Sequence, residues 1–132
     1  MRNLIIFILF IAAIGCTNDK DCKNAICTEI FASISVKLTD STHSNLSDIS
    51  TQTILLSTGE LIHSQSGPNS WPENIFTVVD DSDLKELGFN TSQKVELKIS
   101  KDGNLIKTVL YTIKTDCCHV SIVDGPTEVA LN

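Results

Sequence analysis

The sequence predicts an all-β domain, an antiparallel β-sandwich of about seven strands that follows an N-terminal signal peptide. Three observations support this fold class. Apolar and polar residues alternate with a period of two in several segments, turn-forming residues separate those segments, and no long segment has the 3.6-residue period of a helix. The alternation is clearest at residues 30–38 and 94–99. Short strands separated in this way typically form two packed antiparallel sheets.

The first predicted strand has one apolar face, which indicates burial of that face in a core. Its apolar residues are Ile30, Ala32, Ile34, Val36 and Leu38. A polar segment, 39–50, reads as a loop because Ser, Thr, Asn and Asp favour turns. Ser64–Asn74 contains two prolines and a glycine and is also predicted to be a loop. The other predicted strands are 52–57, 61–63, 75–79, 94–99, 105–114, 119–123 and 128–131.

Two short motifs predict the connections between later strands. Asp83 and Glu86 have the spacing of a capping box, and Gly88 suits the position after a helix, so one helical turn is expected there. Asp102-Gly103 is the pair that type I′ hairpin turns prefer, because both central residues need a positive φ. A hairpin is therefore expected between the strands at 94–99 and 105–114.

The N-terminus predicts export from the cytoplasm. Arg2 is followed by an apolar run of 11 residues, Leu4–Ile14. As a helix that run would span roughly 16 Å, about half of a ~30 Å hydrocarbon core, so it suits a signal peptide better than a transmembrane helix. The run ends in Ala13-Ile14-Gly15-Cys16, which resembles the lipobox of bacterial lipoproteins, with Ala13 in place of the usual leucine.

The lipobox resemblance implies cleavage before Cys16 and attachment of fatty acyl chains such as palmitate to that cysteine. The alternative is an ordinary signal peptide that is cut elsewhere and leaves Cys16 free for a disulfide. The expected organisation is a signal peptide at 1–15, a lipidated polar tether at 16–25 and a β-sandwich at 26–132. Two or three acyl chains hold a protein on a membrane far better than one.

The charge balance excludes some classes of partner. The chain has 10 basic and 16 acidic side chains, a net charge of −6, and loss of residues 1–15 removes Arg2 and no acidic residue. The mature chain is therefore more acidic still. Nucleic-acid binding and direct adsorption to anionic lipids both need a basic surface, so neither is expected. The expected partners are the membrane, through the lipid on Cys16, and a protein or glycan ligand.

Four further cysteines indicate disulfides in an exported domain. They are Cys22, Cys27, Cys117 and Cys118. Three pairings are open, and an adjacent Cys117–Cys118 bridge would close a strained ring, so cross-links between the N-terminal and C-terminal pairs are favoured. Consecutive residues of a strand point to opposite faces. On that basis, Cys117 and Cys118 need not both pair with the same segment. The alternative is a thiol, metal or redox site at Asp116–His119, because zinc takes Cys and His ligands.

Other residues that could carry chemistry give weaker signals. Asp80, Asp81 and Asp83 offer oxygen ligands for calcium but lack the full calcium-loop pattern, and a capped turn is the simpler interpretation. His43 and His63 have no nucleophile at a diagnostic spacing. We therefore assign no catalytic residue, metal or cofactor, and expect no enzyme. Trp71, in the loop at 64–74, is the candidate ligand contact, although a lid over the sandwich is the simpler role.

The segment from Thr115 to Leu131, with its Asp-Cys-Cys-His-Val sequence, resembles the closing strands of small uncharacterised surface lipoproteins of the Bacteroidota. That resemblance implies an immunoglobulin-like or transthyretin-like sandwich on the cell envelope, on the outer membrane and facing the periplasm or the cell surface. It names no activity. The expected function is a membrane-anchored, non-enzymatic binding or structural module. The alternatives are a redox protein centred on Cys117, Cys118 and His119, and an envelope inhibitor or immunity factor.

Overall fold

The computed structural model describes residues 22–70 and 73–132, and within these ranges eight strands form two packed sheets. The strands are β1 (Ser33–Thr39), β2 (Ile49–Leu55), β3 (Glu60–Ser66), β4 (Ile75–Asp80), β5 (Ser92–Lys101), β6 (Asn104–Thr115), β7 (Val120–Asp124) and β8 (Glu128–Ala130). A 3₁₀ turn, Asp81–Asp83, and a short helix, α1 (Leu84–Leu87), connect β4 to β5. The predicted all-β sandwich is confirmed.

One sheet has the strand order β4-β1-β8 and the other has the order β3-β2-β5-β6-β7. Neighbouring strands are antiparallel except β1 and β8, which run parallel with Lys37 opposite Glu128. The sequence predicts antiparallel pairing throughout, so this pair is an exception. The chain changes sheets between β7 and β8, and strands that are not joined by a hairpin are free to pair in parallel.

The core lies between the two sheets and consists mainly of aliphatic side chains. β1 and β5 contribute most regularly, because every second residue of each strand points inward. The inward residues of these two strands are Ile34, Val36, Leu38, Val95, Leu97 and Ile99. Full burial of an aliphatic side chain stabilises the fold by about 1.5–3 kcal/mol, so this alternation gives the sandwich its main driving force.

Among the described residues, Tyr111 is the largest fully buried side chain and is 1% exposed. Its hydroxyl donates a hydrogen bond of 2.9 Å to the carbonyl oxygen of Pro126, and burial raises its pKa to about 12. Gly125, with φ +138°, passes directly over the ring, and a Cβ atom there would lie 2.2 Å from Tyr111 Cδ1. Only glycine fits between β7 and β8 at this point.

Several strand boundaries differ from those predicted. β1 begins at Ser33, and Ile30, which the alternation places in the core, is 74% exposed. β2 begins at Ile49 and not at residue 52. Buried threonines occupy part of its inward face, so the apolar pattern does not mark its true beginning. Residues 64–66, predicted as loop, belong to β3, where Ser66 pairs with Ser50 at the edge of the sheet. A polar edge strand faces solvent, so it lacks the apolar signature of a strand.

The helical turn and the hairpin form where the sequence predicts them. The capping box lies earlier than expected, with Asp80 as the N-cap and Asp83 as its partner, while Asp83 makes no cap bond to α1. Gly88 follows α1 with φ +83°. Asp102 and Gly103 have φ values of +48° and +80°, which is the pattern expected of the type I′ turn between β5 and β6.

The predicted signal peptide, the lipid acceptor Cys16 and the candidate ligand contact Trp71 lie outside the described residues. Across 22–70 and 73–132, no helix combines the length and apolar character needed to cross a membrane.

Candidate functional site

Residues 22–31, which precede β1, form a segment that two disulfides fasten to the bend between β6 and β7; we call it the stapled segment. Cys22 is bonded to Cys117 and Cys27 to Cys118, with sequence separations of 95 and 91 residues. Residues 23–31 are exposed, so the segment contributes almost nothing to the core. Covalent bonds, rather than burial of apolar surface, therefore hold it against the sandwich.

These pairings are the cross-links that the sequence favours between its N-terminal and C-terminal cysteines. Both C-terminal cysteines nevertheless reach the same segment, which the alternation of strand side chains argued against. The reason is that Cys117 and Cys118 lie in a bend before β7 and not in a strand. With all four sulfurs in disulfides, none of these cysteines is a free thiolate that could bind a metal ion.

Asp116 builds the bend that presents His119. Its Oδ1 atom accepts hydrogen bonds from the backbone N–H groups of Cys118, at 2.6 Å, and of His119, at 2.8 Å. These bonds lower the pKa of Asp116 below its ordinary value because they stabilise the carboxylate. The backbone of His119 is thereby fixed one residue after a disulfide and one residue before β7.

Asp81 joins three parts of the chain at this end of the sandwich. Its carboxylate accepts backbone hydrogen bonds from Ala32, at 2.7 Å, and from Val120, at 2.8 Å, and it contacts His119 Nδ1 at 2.7 Å. The side chain is only 9% exposed. Burial alone would raise the pKa of Asp81, but these hydrogen bonds and the charge of His119 outweigh burial and hold the pKa below its ordinary value.

The second nitrogen of His119, Nε2, lies 3.0 Å from the hydroxyl oxygen of Thr28 on the stapled segment. A carboxylate can only accept a hydrogen bond, so in the neutral ring Nδ1 carries the proton towards Asp81 and Nε2 accepts from the Thr28 hydroxyl. Thr28, His119 and Asp81 thus form a continuous hydrogen-bonded line, which we call the Thr28–His119–Asp81 relay.

Two shallow depressions meet at this relay. One, of about 380 Å³, extends from Thr28 and His119 towards Ile26 and Asn90. The other, of about 330 Å³, extends from the same two residues towards Phe31 and neighbouring residues of the stapled segment. The Asn90 side chain donates a hydrogen bond of 3.2 Å to Cys117 Sγ, which holds its amide at the wall of the first depression. The stapled end therefore combines apolar walls with a small polar centre.

The aspartates that the sequence offered for calcium act as hydrogen-bond acceptors within the fold. Asp80 Oδ1 accepts from the backbone of Ser82 at 2.8 Å, and Asp83 Oδ2 accepts from the backbone of Asp80 at 2.9 Å. His63, Asp80 and Asp83 bring possible ligand atoms within 4.8 Å of one another. His63 Nδ1, however, lies 3.0 Å from Asp83 Oδ2, which is a hydrogen-bond geometry. Asp80 and Asp83 form the capping box of the 3₁₀ turn.

The relay was missed by the sequence reasoning, which considered His119 only beside its cysteines. A usable signal for Thr28 was present: pairing of Cys27 with Cys118 places the two following residues, Thr28 and His119, side by side. Nothing in the linear sequence links Asp81 to them, because their contact depends on how the two sheets pack.

No family model matches the chain, and no curated protein or solved structure matches it either.

Proposed function

We propose that the chain is a cell-envelope lipoprotein, held on a bacterial membrane through Cys16, that binds another protein through its stapled end. The observation that carries this proposal is the exposure of large apolar side chains on a covalently fixed backbone. Ile26 is 98% exposed, Ile30 74% and Phe31 63%. The fully buried centre of a protein interface is more apolar than the rest of the surface, and aromatic residues such as Phe are enriched there.

The disulfides favour binding because they order the surface in advance. A flexible segment of ten residues would lose conformational freedom on binding, at a cost of roughly 0.5–1.5 kcal/mol for each immobilised side chain. Cys22 and Cys27 fix both the beginning and the middle of the stapled segment, so part of that cost is met during folding. Ile30 and Phe31 then lead directly into β1, whose position the core determines.

The size of the apolar surface sets the expected affinity. Burial of three large apolar side chains contributes about 5–9 kcal/mol in total. Association itself costs an estimated 4–15 kcal/mol, so this patch alone supports a weak interface. Attachment of both partners to the same envelope would compensate, because confinement raises their effective concentration. The six Cα–Cα steps from Cys16 to Cys22 span at most about 22 Å, which keeps the stapled end near the lipid.

Photo-crosslinking in intact cells tests this proposal. A photoreactive amino acid at position 31 should give a discrete product with one envelope protein, and a second substitution, Ile30→Asp, should abolish that product. The matched control is position 105, because Leu105 is a similarly exposed apolar residue, at 59%, on β6. Equal products from positions 31 and 105 would place binding elsewhere. If the protein is an inhibitor or immunity factor, it would bind a secreted enzyme through this surface. Cross-linking to such an enzyme would identify that case.

A further inference from the structure

The Thr28–His119–Asp81 relay has a geometry that a binding surface does not require. In such a line, a carboxylate fixes the tautomer and orientation of a histidine, and the histidine removes a proton from a hydroxyl nucleophile. We propose that the relay is a nucleophilic site that cleaves small carboxylic esters by acyl transfer to Thr28. This activity goes beyond the binding role proposed above and departs from the sequence-based expectation of a non-enzymatic module.

The other two histidines show what distinguishes His119. His43 contacts Thr42 Oγ1 at 2.6 Å and Asp40 at 3.5 Å through the same nitrogen, Nδ1, so its ring cannot pass a proton between them. His63 Nδ1 contacts Asp83, and within the described part of the chain no hydroxyl is bonded to its Nε2. Of the three histidines, only His119 has a carboxylate hydrogen-bonded to Nδ1 and a hydroxyl hydrogen-bonded to Nε2.

The relay is held in place by bonds on every side. The Cys27–Cys118 disulfide immediately precedes both Thr28 and His119, so it fixes their backbones next to each other. Asp81 is kept in position by two backbone donors, and its side chain is only 9% exposed. Preorganisation of this kind is what lets polar groups accelerate a reaction, because no rearrangement is needed as charge develops.

The reaction follows from the positions of these groups. The Thr28 hydroxyl oxygen attacks the ester carbonyl carbon, the new C–O bond forms, and the hydroxyl proton passes to His119 Nε2. Collapse of the tetrahedral intermediate breaks the bond to the alcohol oxygen, which leaves with the proton from His119. Water then attacks the acyl carbonyl carbon while His119 Nε2 takes its proton. The bond to the Thr28 oxygen breaks, that oxygen regains the proton from His119, and the carboxylic acid leaves. Asn90 lines the same depression, and its side-chain amide becomes a donor to the oxyanion when it rotates away from the Cys117 sulfur.

Hydrolysis of p-nitrophenyl acetate by the full folded domain tests the proposal. Mass spectrometry of acid-quenched protein should find an acetyl group on Thr28, and Thr28→Val should lower kcat/KM by about 100-fold or more. His119→Asn should have a comparable effect, whereas Thr28→Ser keeps the hydroxyl and should retain activity. Thr28 is exposed, so its valine variant should fold, and an unchanged melting temperature verifies this. His43→Asn is the control for hydrolysis by a surface histidine and should change nothing.

Asp81 is a positioning residue in this scheme, because it acts through His119. In ¹⁵N spectra the His119 ring should be protonated at Nδ1 in the wild type and in Thr28→Val, and should become a mixture of tautomers in Asp81→Asn. The proposal is overturned if Thr28→Val hydrolyses the ester at the wild-type rate or if acetylation occurs only on lysines. An unchanged His119 tautomer in Asp81→Asn would overturn the role of Asp81. None of these readouts depends on the protein partner proposed above.

Discussion

The replacement of Cys27 and Cys118 by serine tests how the two disulfides share the stabilisation of this domain. Each disulfide alone closes a loop of more than 90 residues, with separations of 95 for Cys22–Cys117 and 91 for Cys27–Cys118. In the chain-entropy model, one loop of that length stabilises the folded state by about 4–5 kcal/mol, because it restricts the unfolded chain.

The two loops overlap over residues 27–117, so their contributions do not add. While Cys22–Cys117 is intact, loss of Cys27–Cys118 opens only the small ring formed by residues 22–27 and 117–118. For a ring of about eight residues, the same model gives roughly 2–3 kcal/mol. Loss of one disulfide should therefore cost about 2–3 kcal/mol, and loss of both should cost about 7 kcal/mol in total.

Urea unfolding of residues 22–132, followed by far-ultraviolet circular dichroism, measures these values. The double variants Cys27→Ser/Cys118→Ser and Cys22→Ser/Cys117→Ser should each lose about 2–3 kcal/mol of unfolding free energy. The fully reduced protein should be largely unfolded, because domains are typically stable by only about 5–15 kcal/mol. The reasoning is refuted if each double variant loses about 4–5 kcal/mol and full reduction costs the sum of the two losses.

Three further predictions follow from single residues. Cys16→Ser should abolish labelling by a fatty-acid probe, because only a thiol accepts the diacylglycerol. The variant should also move to the aqueous phase of a detergent partition. Persistent labelling would contradict the lipobox interpretation. Gly125→Ala should destabilise the domain by about 1–3 kcal/mol or more in urea, because the added methyl group overlaps the Tyr111 ring. The Asp83 hydrogen bond raises the pKa of His63. His63→Gln should therefore lower the unfolding free energy most below about pH 6.5. This loss should shrink as the pH rises through the raised pKa. A pH-independent difference between His63→Gln and wild type would contradict a raised pKa of His63 in the folded state.

Much of the fold was predictable because its determinants are local. The alternation in β1 and β5 reflects one buried face, and side-chain direction in a strand depends only on position. Asp102-Gly103 specifies its turn through backbone conformations that these two residues tolerate. These elements need no knowledge of their partners, so the sequence indicates them directly.

The remaining features depend on which elements meet, and local patterns do not record this. Residues 64–66 are polar because they lie at an edge, and only their pairing with β2 identifies them as strand. The parallel pairing of β8 with β1 follows from a change of sheet. Ile30 fits the alternation of β1, yet β1 begins only at Ser33 and Ile30 is exposed.

The stapled end shows why one region can hold the binding surface and the relay together. Residues 23–31 are exposed and lie outside the sandwich core, so without the disulfides they would be unordered. Cys27–Cys118 orders them, and in doing so it sets Thr28 against His119 while Ile30 and Phe31 remain exposed. Disulfides with a purely structural role would not require a buried Asp81 bonded to His119. They would not require exposed apolar side chains next to His119 either. The cost of burying that carboxylate is offset by three hydrogen bonds, and the arrangement leaves His119 Nε2 facing a hydroxyl at the surface.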